Sequence, residues 1–372
     1  MRQNVTYFAP AHRIGSGMGI VHESIVHYLG QKDDVTLRLI EPPSADGASW
    51  ATMPVAAAKA MLSGVQLVLD GSEIVLMAYP SVPLVPLTSR VKVPLAYATY
   101  AGLQMRKRYT GQKLVLFIGD LPIEQAEGLG LPITIDRGMF NRWERFLFHA
   151  ADHVVAFSPR LRRVLCDKHG LNEERVLMNR RDPHMPRHVE GRAEIALTQG
   201  KVHVLYSGEL TRMQDIVNVR QVLEVVGRFP QTAEMHVCGR GGEWVTQQAA
   251  RNVRYWGMLN HADFDALASQ CSFGVIAYPH GWYYDLTPTA KYSGYAANGL
   301  AILSTDLSTV RENLEEDGIG EALPLPEMLD ELSRWCADPV RFAGYRARAA
   351  GMKELYRRGA FMDEWFNELR DR

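Results

Sequence analysis

The stretch DLTPTAKYSGYAANGLAILST, Asp285 to Thr305, holds a helix start, a run of small residues, a glycine and an apolar run. A helix beginning near Thr289, with Thr287 or Thr289 as its cap, presents unpaired N–H groups in its first turn. Lys291 falls in that turn, where the helix dipole favours anions and a cation is out of place. A bound anion removes the conflict, because a diphosphate is attracted by the helix end and the ammonium together. The small residues GYAANG, Gly294 to Gly299, let this helix approach a sheet closely before LAILST, Leu300 to Thr305, enters the sheet as a strand.

Outward from this stretch the same alternation recurs. Short apolar, β-branched runs appear as NVTYFAP, VTLRLIEP, EIVLMAYP, KLVLFIGDLP and HVVAFSP in the first half, and as VHVLYSGEL, EMHVCG, VRYWGM, FGVIAYP and LAILST in the second. Amphipathic stretches such as GIVHESIVHYL, FNRWERFLFHAA, IVNVRQVLEVVGRF and DFDALASQC lie between them. Alternating buried strands and helices predict an α/β fold of two doubly wound parallel-sheet, Rossmann-like domains. The polar, proline-bearing stretch Asn179 to Gly200 separates the two runs. The expected division is a first domain over residues 1–180, a linker over 181–200, a second domain over 201–355 and a C-terminal helix over 356–372.

Composition agrees with two such cores. The chain has 372 residues, and domains average ~100–200. Hydrophobic residues make up 47% and charged residues 22%, an ordinary globular balance that argues against disorder. The formal net charge of −1 gives no case for a nucleic-acid partner. The charge is unevenly placed: residues 1–190 carry 22 Lys and Arg against 18 Asp and Glu, the remainder 19 against 24. Cys166, Cys238, Cys271 and Cys336 have no CxxC spacing, so neither a disulfide frame nor a zinc ribbon is expected, and reduced thiols point to the cytoplasm. MRQNVTYFAPAHR at the start has no apolar signal core, and no stretch approaches the ~18 apolar residues of a membrane span.

Open parallel sheets bind ligands at the carboxyl ends of their strands, so the residues just past each apolar run are the ones to inspect. After the first run, Gly15, Gly17 and Gly19 precede a helix. A dinucleotide fingerprint is one reading, with Glu41 on a ribose. However, Ile20 stands where the third glycine belongs, and APAHRI intervenes between strand and glycines. A plain loop and a loop facing a phosphate or substrate are the other readings. His22 and His27 are five apart, which does not fit a zinc-protease helix, and neither a P-loop nor a GxSxG elbow occurs. Arg106, Lys107, Arg108 and Lys113, interleaved with Tyr100, Leu103, Met105 and Tyr109, suit an anionic membrane surface or a solvated helix face. In the second half, Gly208 permits a tight turn and Arg212 can clamp a diphosphate, or form an ion pair with Glu209 or Asp215. CGRGGEW repeats the pattern with Arg240, and Tyr255 with Trp256 serve as a nucleobase platform or as core packing.

Together these motifs resemble the GT-B fold glycosyltransferases, especially the retaining family 4 group and related bacterial polysaccharide enzymes. KYSGYAANGLAILST is similar to that group's lysine-bearing helix and following strand. The resemblance runs back through VRYWGMLNHADFDALASQCSFGVIAYP, MHVCGRGGE and YSGELTRMQDI to ERFLFHAADHVVAFSPRL. It implies a GT-B architecture and an enzyme that moves a sugar from a nucleotide-diphosphate sugar, UDP- or GDP-linked, with retention, in surface polysaccharide or glycoconjugate synthesis. The acceptor would be a glycan or lipid-linked glycan, at the cytoplasmic face of the membrane. No metal and no cofactor beyond the donor are expected. By the resemblance Lys291 and Arg212 hold the phosphates, the Gly15–Gly19 loop closes over the donor, and the last helix crosses back to the first domain. Asp120, after LVLFIG, is the residue expected to touch the acceptor. The chain departs from the group where its two spaced glutamates would fall, at Leu286 and Gly294, and where an arginine and a lysine would follow the first strand of the second domain, at Glu209 and Gln214. Asp285, beside Leu286, is expected to reach the sugar hydroxyls, and Thr289 to help bind the donor. Two alternatives stay open: an epimerase of sugar nucleotides on the same fold, and a non-catalytic binding subunit.

Overall fold

A computed structural model describes residues 2–8, 17–41, 62–79, 92–133, 136–179, 181, 184, 195–211, 213–248, 250–286 and 289–371. The chain divides into two compact units, one of Met1–Arg13, His22–Arg180 and Met362–Arg372, the other of Ile14–Val21 and Arg181–Phe361.

In the first unit the strands are β1 (Gln3–Phe8), β2 (Val35–Ile40), β3 (Ile74–Tyr79), β4 (Lys113–Ile118), β5 (His153–Ala156) and β6 (Val176–Met178). They form one sheet in the order β2-β1-β3-β4-β5-β6, every pairing parallel. The helices are α1 (Gly17–Gly30), α2 (residues 62–69), α3 (Lys92–Thr110), α4 (Pro122–Gly128), α5 (Arg137–Ala150) and α6 (Pro159–His169). The centre of the sheet is apolar on both faces, as a sheet covered by helices requires: all six residues of β3 are buried. β2 lies at an edge, buried at its two ends, Val35 and Ile40, and exposed at Thr36, Arg38 and Leu39.

The second unit repeats the plan with β7 (Val202–Ser207), β8 (Ala233–Cys238), β9 (Val253–Tyr255), β10 (Phe273–Ile276), β11 (Ala301–Thr305) and β12 (Gly320–Leu323), ordered β12-β11-β10-β7-β8-β9 and again all parallel. Its helices are α7 (Met213–Gly227), α8 (Glu243–Gln248), α9 (His261–Ala268), α10 (Ala290–Ala297), α11 (Ser308–Asp317), α12 (Leu325–Ala337) and α13 (Val340–Arg357). The closing helix α14 (Ala360–Asp371) starts just after Gly359, whose φ of 63° ends α13. Its residues from Met362 on belong to the first unit: Trp365 meets the Phe117 ring edge-on at 4.9 Å, and Lys113 donates to the Leu369 carbonyl at 2.9 Å.

Strand order sets where a ligand can enter. From β7 the chain winds one way through β8 and β9, then returns to the other side of β7 as β10 and continues to β11 and β12. The loops after β7 and β10 therefore part in opposite directions and leave a crevice at the carboxyl ends of those two strands. β1 and β3 make the corresponding switch in the first unit. Among the described residues no helix is long and apolar enough to cross a membrane.

Candidate functional site

The crevice between β7 and β10 is built on glycines. Gly208, directly after β7, has φ 155°, and a Cβ there would stand 2.7 Å from Lys291 Cε and 2.8 Å from its Nζ. Gly239, directly after β8, has φ 137°, and its Cβ would stand 1.8 Å from the Gly208 carbonyl oxygen. Only side-chain-free residues allow the two turns to lie against each other and the lysine to lie across the first. Backbone bonds lock the pair: Gly208 N–H donates to Cys238 O at 2.9 Å, Leu210 N–H to Arg240 O at 2.8 Å, and Gly239 N–H to Gly257 O at 2.8 Å.

Lys291 reaches this spot from the first turn of α10. Thr289 is the N-cap, its hydroxyl accepting from the Lys291 N–H at 3.3 Å. The ammonium donates to the Tyr278 hydroxyl and lies 3.9 Å from the centre of that ring and 5.6 Å from that of Tyr206. Tyr278 follows β10 and is fixed in turn, stacked on Tyr284 at 4.9 Å, with its carbonyl accepting from Thr305 Oγ1 at 2.8 Å. Among the described residues no carboxylate lies within ion-pair distance of Lys291. A cation at a helix N-terminus, held over a glycine turn by two tyrosines, leaves a positive charge without a counter-charge where the helix end itself favours an anion. Beneath it the buried Cys238 thiol is pushed up to about 12 by burial, against the pull of Lys291. It therefore stays protonated and acts as packing.

The other expected site residues are placed variously. Gly15 and Arg212 lie outside the described residues, and Gly17 opens α1. Gly208, Lys291 and Thr289 are brought together as above. Arg240 sits in the turn after β8, exposed, paired with Glu209 at 3.0 Å, while Thr211 donates to the same carboxylate at 2.7 Å. Tyr255 differs from a free-standing base platform: its hydroxyl donates to Gly239 O at 2.6 Å and accepts from Gly242 N–H at 3.1 Å, and its ring would touch a Cβ at Gly242. Its ring and hydroxyl thus brace the glycine turn. Asp285 also has a structural duty. Its carboxylate accepts the Ser308 N–H at 2.8 Å and its carbonyl the Thr309 hydroxyl at 2.9 Å, which caps α11 from a buried position. Asp120 lies half-buried two residues past β4, at the carboxyl end of the first unit's sheet. Leu286 is buried in the core, and a Cβ at Gly294 would meet His184 Nδ1 and Phe264 at 3.5 Å. Sequence reasoning missed Tyr278 and Tyr206, although Tyr278 stands directly past the apolar run FGVIA.

One cluster has the ligand types of a metal site. Ligand atoms of His203, Glu234 and His236 lie within 4.8 Å of one another. Their protons, however, close a chain of donors: Trp256 Nε1–H donates to His236 Nδ1 at 3.2 Å, leaving His236 Nε2–H to donate to His203 Nδ1 at 2.9 Å, and His203 Nε2–H donates to the Thr198 carbonyl at 2.8 Å. The ring nitrogens that would face an ion face each other, and the Trp256 donor fixes the tautomer against coordination.

Two parallel-sheet α/β units with a glycine-lined crevice at the carboxyl ends of β7 and β10 have the GT-B fold of glycosyltransferases. Solved structures of that fold match the chain over nearly its whole length. A sucrose-phosphate synthase from Thermosynechococcus elongatus superposes with a TM-score of 0.67 at 13% identity, covering 100% of both chains. A glycosyltransferase from Rickettsia africae gives 0.61 at 11% identity, covering 100% of this chain and 98% of that one. Anabaena HepE in complex with UDP-glucose gives 0.60 at 10% identity over 100% of both. No family model and no curated protein matches the sequence.

Proposed function

We propose that the protein is a glycosyltransferase that takes a sugar from a nucleoside-diphosphate sugar and passes it, with retention, to a glycan or lipid-linked glycan in surface polysaccharide or glycoconjugate synthesis. The observation that carries this reading is the Lys291 ammonium, held over Gly208 at the N-terminus of α10 with no carboxylate partner among the described residues. In the reaction the bond between the anomeric carbon and the diphosphate oxygen breaks, its electron pair staying on the diphosphate. The acceptor oxygen bonds to the same carbon, and its proton passes to the departing phosphate oxygen or to water. Lys291 and the α10 N–H groups stabilise the charge that develops on the leaving group, the work a metal ion does elsewhere. Arg212 is proposed as the second phosphate contact and Asp120 as the acceptor contact, and the donor is UDP- or GDP-linked. HepE, of the same fold, is described in complex with UDP-glucose, which supports a uridine donor. The acceptor side is proposed to work at the inner face of a membrane.

Leu286 and Gly294, apolar or bare where the resembling family has carboxylates, favour one second reading: a subunit that binds a nucleotide sugar without turning it over. Calorimetry with UDP, GDP and their sugars identifies the donor, and following radiolabelled sugar into a lipid or glycan fraction separates the two readings. Tight nucleotide binding with neither transfer nor hydrolysis would assign the subunit, and no binding of any nucleoside diphosphate would remove both.

A further inference from the structure

Helix α13 packs one face on its unit and leaves the other bare. Phe342, Ala349 and Tyr356, seven residues apart, are buried, and the Tyr356 ring lies 6.3 Å from that of Tyr292 in α10. On the opposite side Val340, Gly344, Ala347, Gly351, Glu354 and, at the C-terminal cap, Arg358 are all exposed. Their spacing alternates four and three residues, the period of a seam between two packed helices. Val340 at one end is 77% exposed, and Leu355, beside the seam at the other end, 46%. A Cβ at Gly344 or Gly351 would meet nothing within 4 Å. Glycine in a helix interior is destabilising relative to alanine, and nothing in the chain uses the room these two leave. Their use lies outside the chain.

Reversed end for end, this face is complementary to itself. Turning α13 about the midpoint between Ala347 and Arg348 sets Val340 level with Leu355 of the partner subunit, and Gly344 level with Gly351 of the partner subunit. The same turn sets Arg341 level with Glu354 of the partner subunit, and Arg358 within one residue of the level of Asp338 of the partner subunit. All four of these charged residues are exposed in the single chain. Glu354 and Arg358 already pair there at 2.6 Å, so the contact extends an existing ion pair into a network. A two-fold interface requires such a patch, one that meets its own copy with opposites facing. A parallel pairing through the same seam would set like charges level and align the helix dipoles. Arg348, beside the midpoint, is drawn off the seam, its Nη1 donating toward the Gly318 carbonyl at 3.4 Å. Glycine and alanine in the contact allow the helices to approach at the lower end of the usual ~8–10 Å.

We propose that the protein self-associates as a two-fold dimer in which α13 lies antiparallel against α13 of a second copy. One pair of helices this short covers less than the ~1,200–2,000 Å² of a stable interface, so the association is reversible and in the micromolar range. Sedimentation equilibrium of the full chain from roughly 1 to 200 µM is expected to show monomer and dimer in exchange. Ala347→Arg keeps a good helix former at an exposed position and adds two charges beside the two copies of Arg348. It is expected to weaken the dimer at least about tenfold, with the melting temperature unchanged. Mild oxidation of cysteine variants reads the orientation. Gly344→Cys mixed with Gly351→Cys is expected to give a disulfide-linked dimer on a non-reducing gel, and either variant alone to stay monomeric. The native chain, whose own cysteines are buried or half-buried, is the blank. Three results overturn the proposal: a wild type still monomeric at the highest concentration, an Ala347→Arg variant that dimerises like the wild type, or Gly344→Cys alone cross-linking as readily as the mixture, the mark of a parallel pairing.

Discussion

The Lys291 ammonium lies across the Cα of Gly208, and a methyl group at Gly208 would overlap it at 2.7–2.8 Å. Strand end and helix start are thereby coupled through one missing side chain. Gly208→Ala is expected to push the lysine off the turn and also to strain a φ that L residues rarely adopt. Nucleoside-diphosphate affinity should fall by about tenfold or more, and stability by about 1–3 kcal/mol. Calorimetry and a denaturant melt read both quantities. An alanine variant that binds diphosphate like the wild type would show that this contact does not shape the site.

Removing the charge itself isolates the electrostatic part. Lys291→Met keeps much of the packing against Tyr206 and Tyr278 and loses the ammonium. Diphosphate binding is expected to weaken by ~1.5–3 kcal/mol, the range for a hydrogen bond to a charged group, with the melting temperature nearly unchanged. A nucleoside lacking phosphates should bind variant and wild type alike. If stability drops while diphosphate affinity holds, the lysine is structural and the donor lies elsewhere. Arg212→Ala is expected to follow the same pattern.

What was legible in the sequence follows from range. The buried strands β3 and β11 read as apolar runs because every residue in them is covered. β6 and β12 escaped, β6 being three residues long and β12 an edge strand, GEAL, with no fully buried position. Lys291 stood out because its conflict with the helix dipole is local, settled within one turn of sequence. Tyr255 and Asp285 did not reveal their roles, since their partners are 16 and 23 residues away, and only the fold shows the hydroxyl under the glycine turn and the carboxylate on α11. Gly208 was expected to turn the chain, but that it also makes room for Lys291 depends on a contact between residues 208 and 291.

The second unit is also held by a carboxylate. Asp317, at the end of α11, accepts from the Tyr292 hydroxyl at 2.7 Å, the Tyr356 hydroxyl at 2.6 Å and two nitrogens of Arg181, and so ties α10, α11 and α13 to the chain entering the unit. Arg181 also stacks on Phe361, 4.6 Å from the ring centre. Asp317→Ala leaves a buried guanidinium with, among the described residues, only the exposed carboxylate of Glu316 beside it, and two buried hydroxyls without this acceptor. A loss of about 3–5 kcal/mol is expected. Asp317→Asn, which keeps an acceptor oxygen, should cost less. Urea melts rank the variants, and an alanine variant as stable as the wild type would deny the cluster any role in stability.

Acid should find the histidine chain. Burial, with His203 and Arg254 nearby, lowers the His236 pKa from 6.5 to about 3. With Nε2–H already donating to His203, the ring can accept a proton only at Nδ1, which breaks its bond from Trp256 Nε1–H. Its folded pKa therefore lies below the unfolded one, so the unfolded chain binds the extra proton first. The stabilisation is complete above pH 6.5 and is lost as pH falls toward 3. His169, lowered to about 3 chiefly by burial, acts in the same direction. Glu144, raised to about 7 chiefly by burial, acts in the opposite one, favouring the fold as pH drops from 7 toward 4.5. The net slope of the wild type mixes all three, so the test is a difference. Between pH 7 and pH 5 the wild type should lose on the order of 2 kcal/mol more than His236→Gln, whose amide does not titrate. Urea melts at both pH values supply the four numbers. Equal losses in the two proteins would mean that His236 takes up its proton in the folded state as readily as in the unfolded chain.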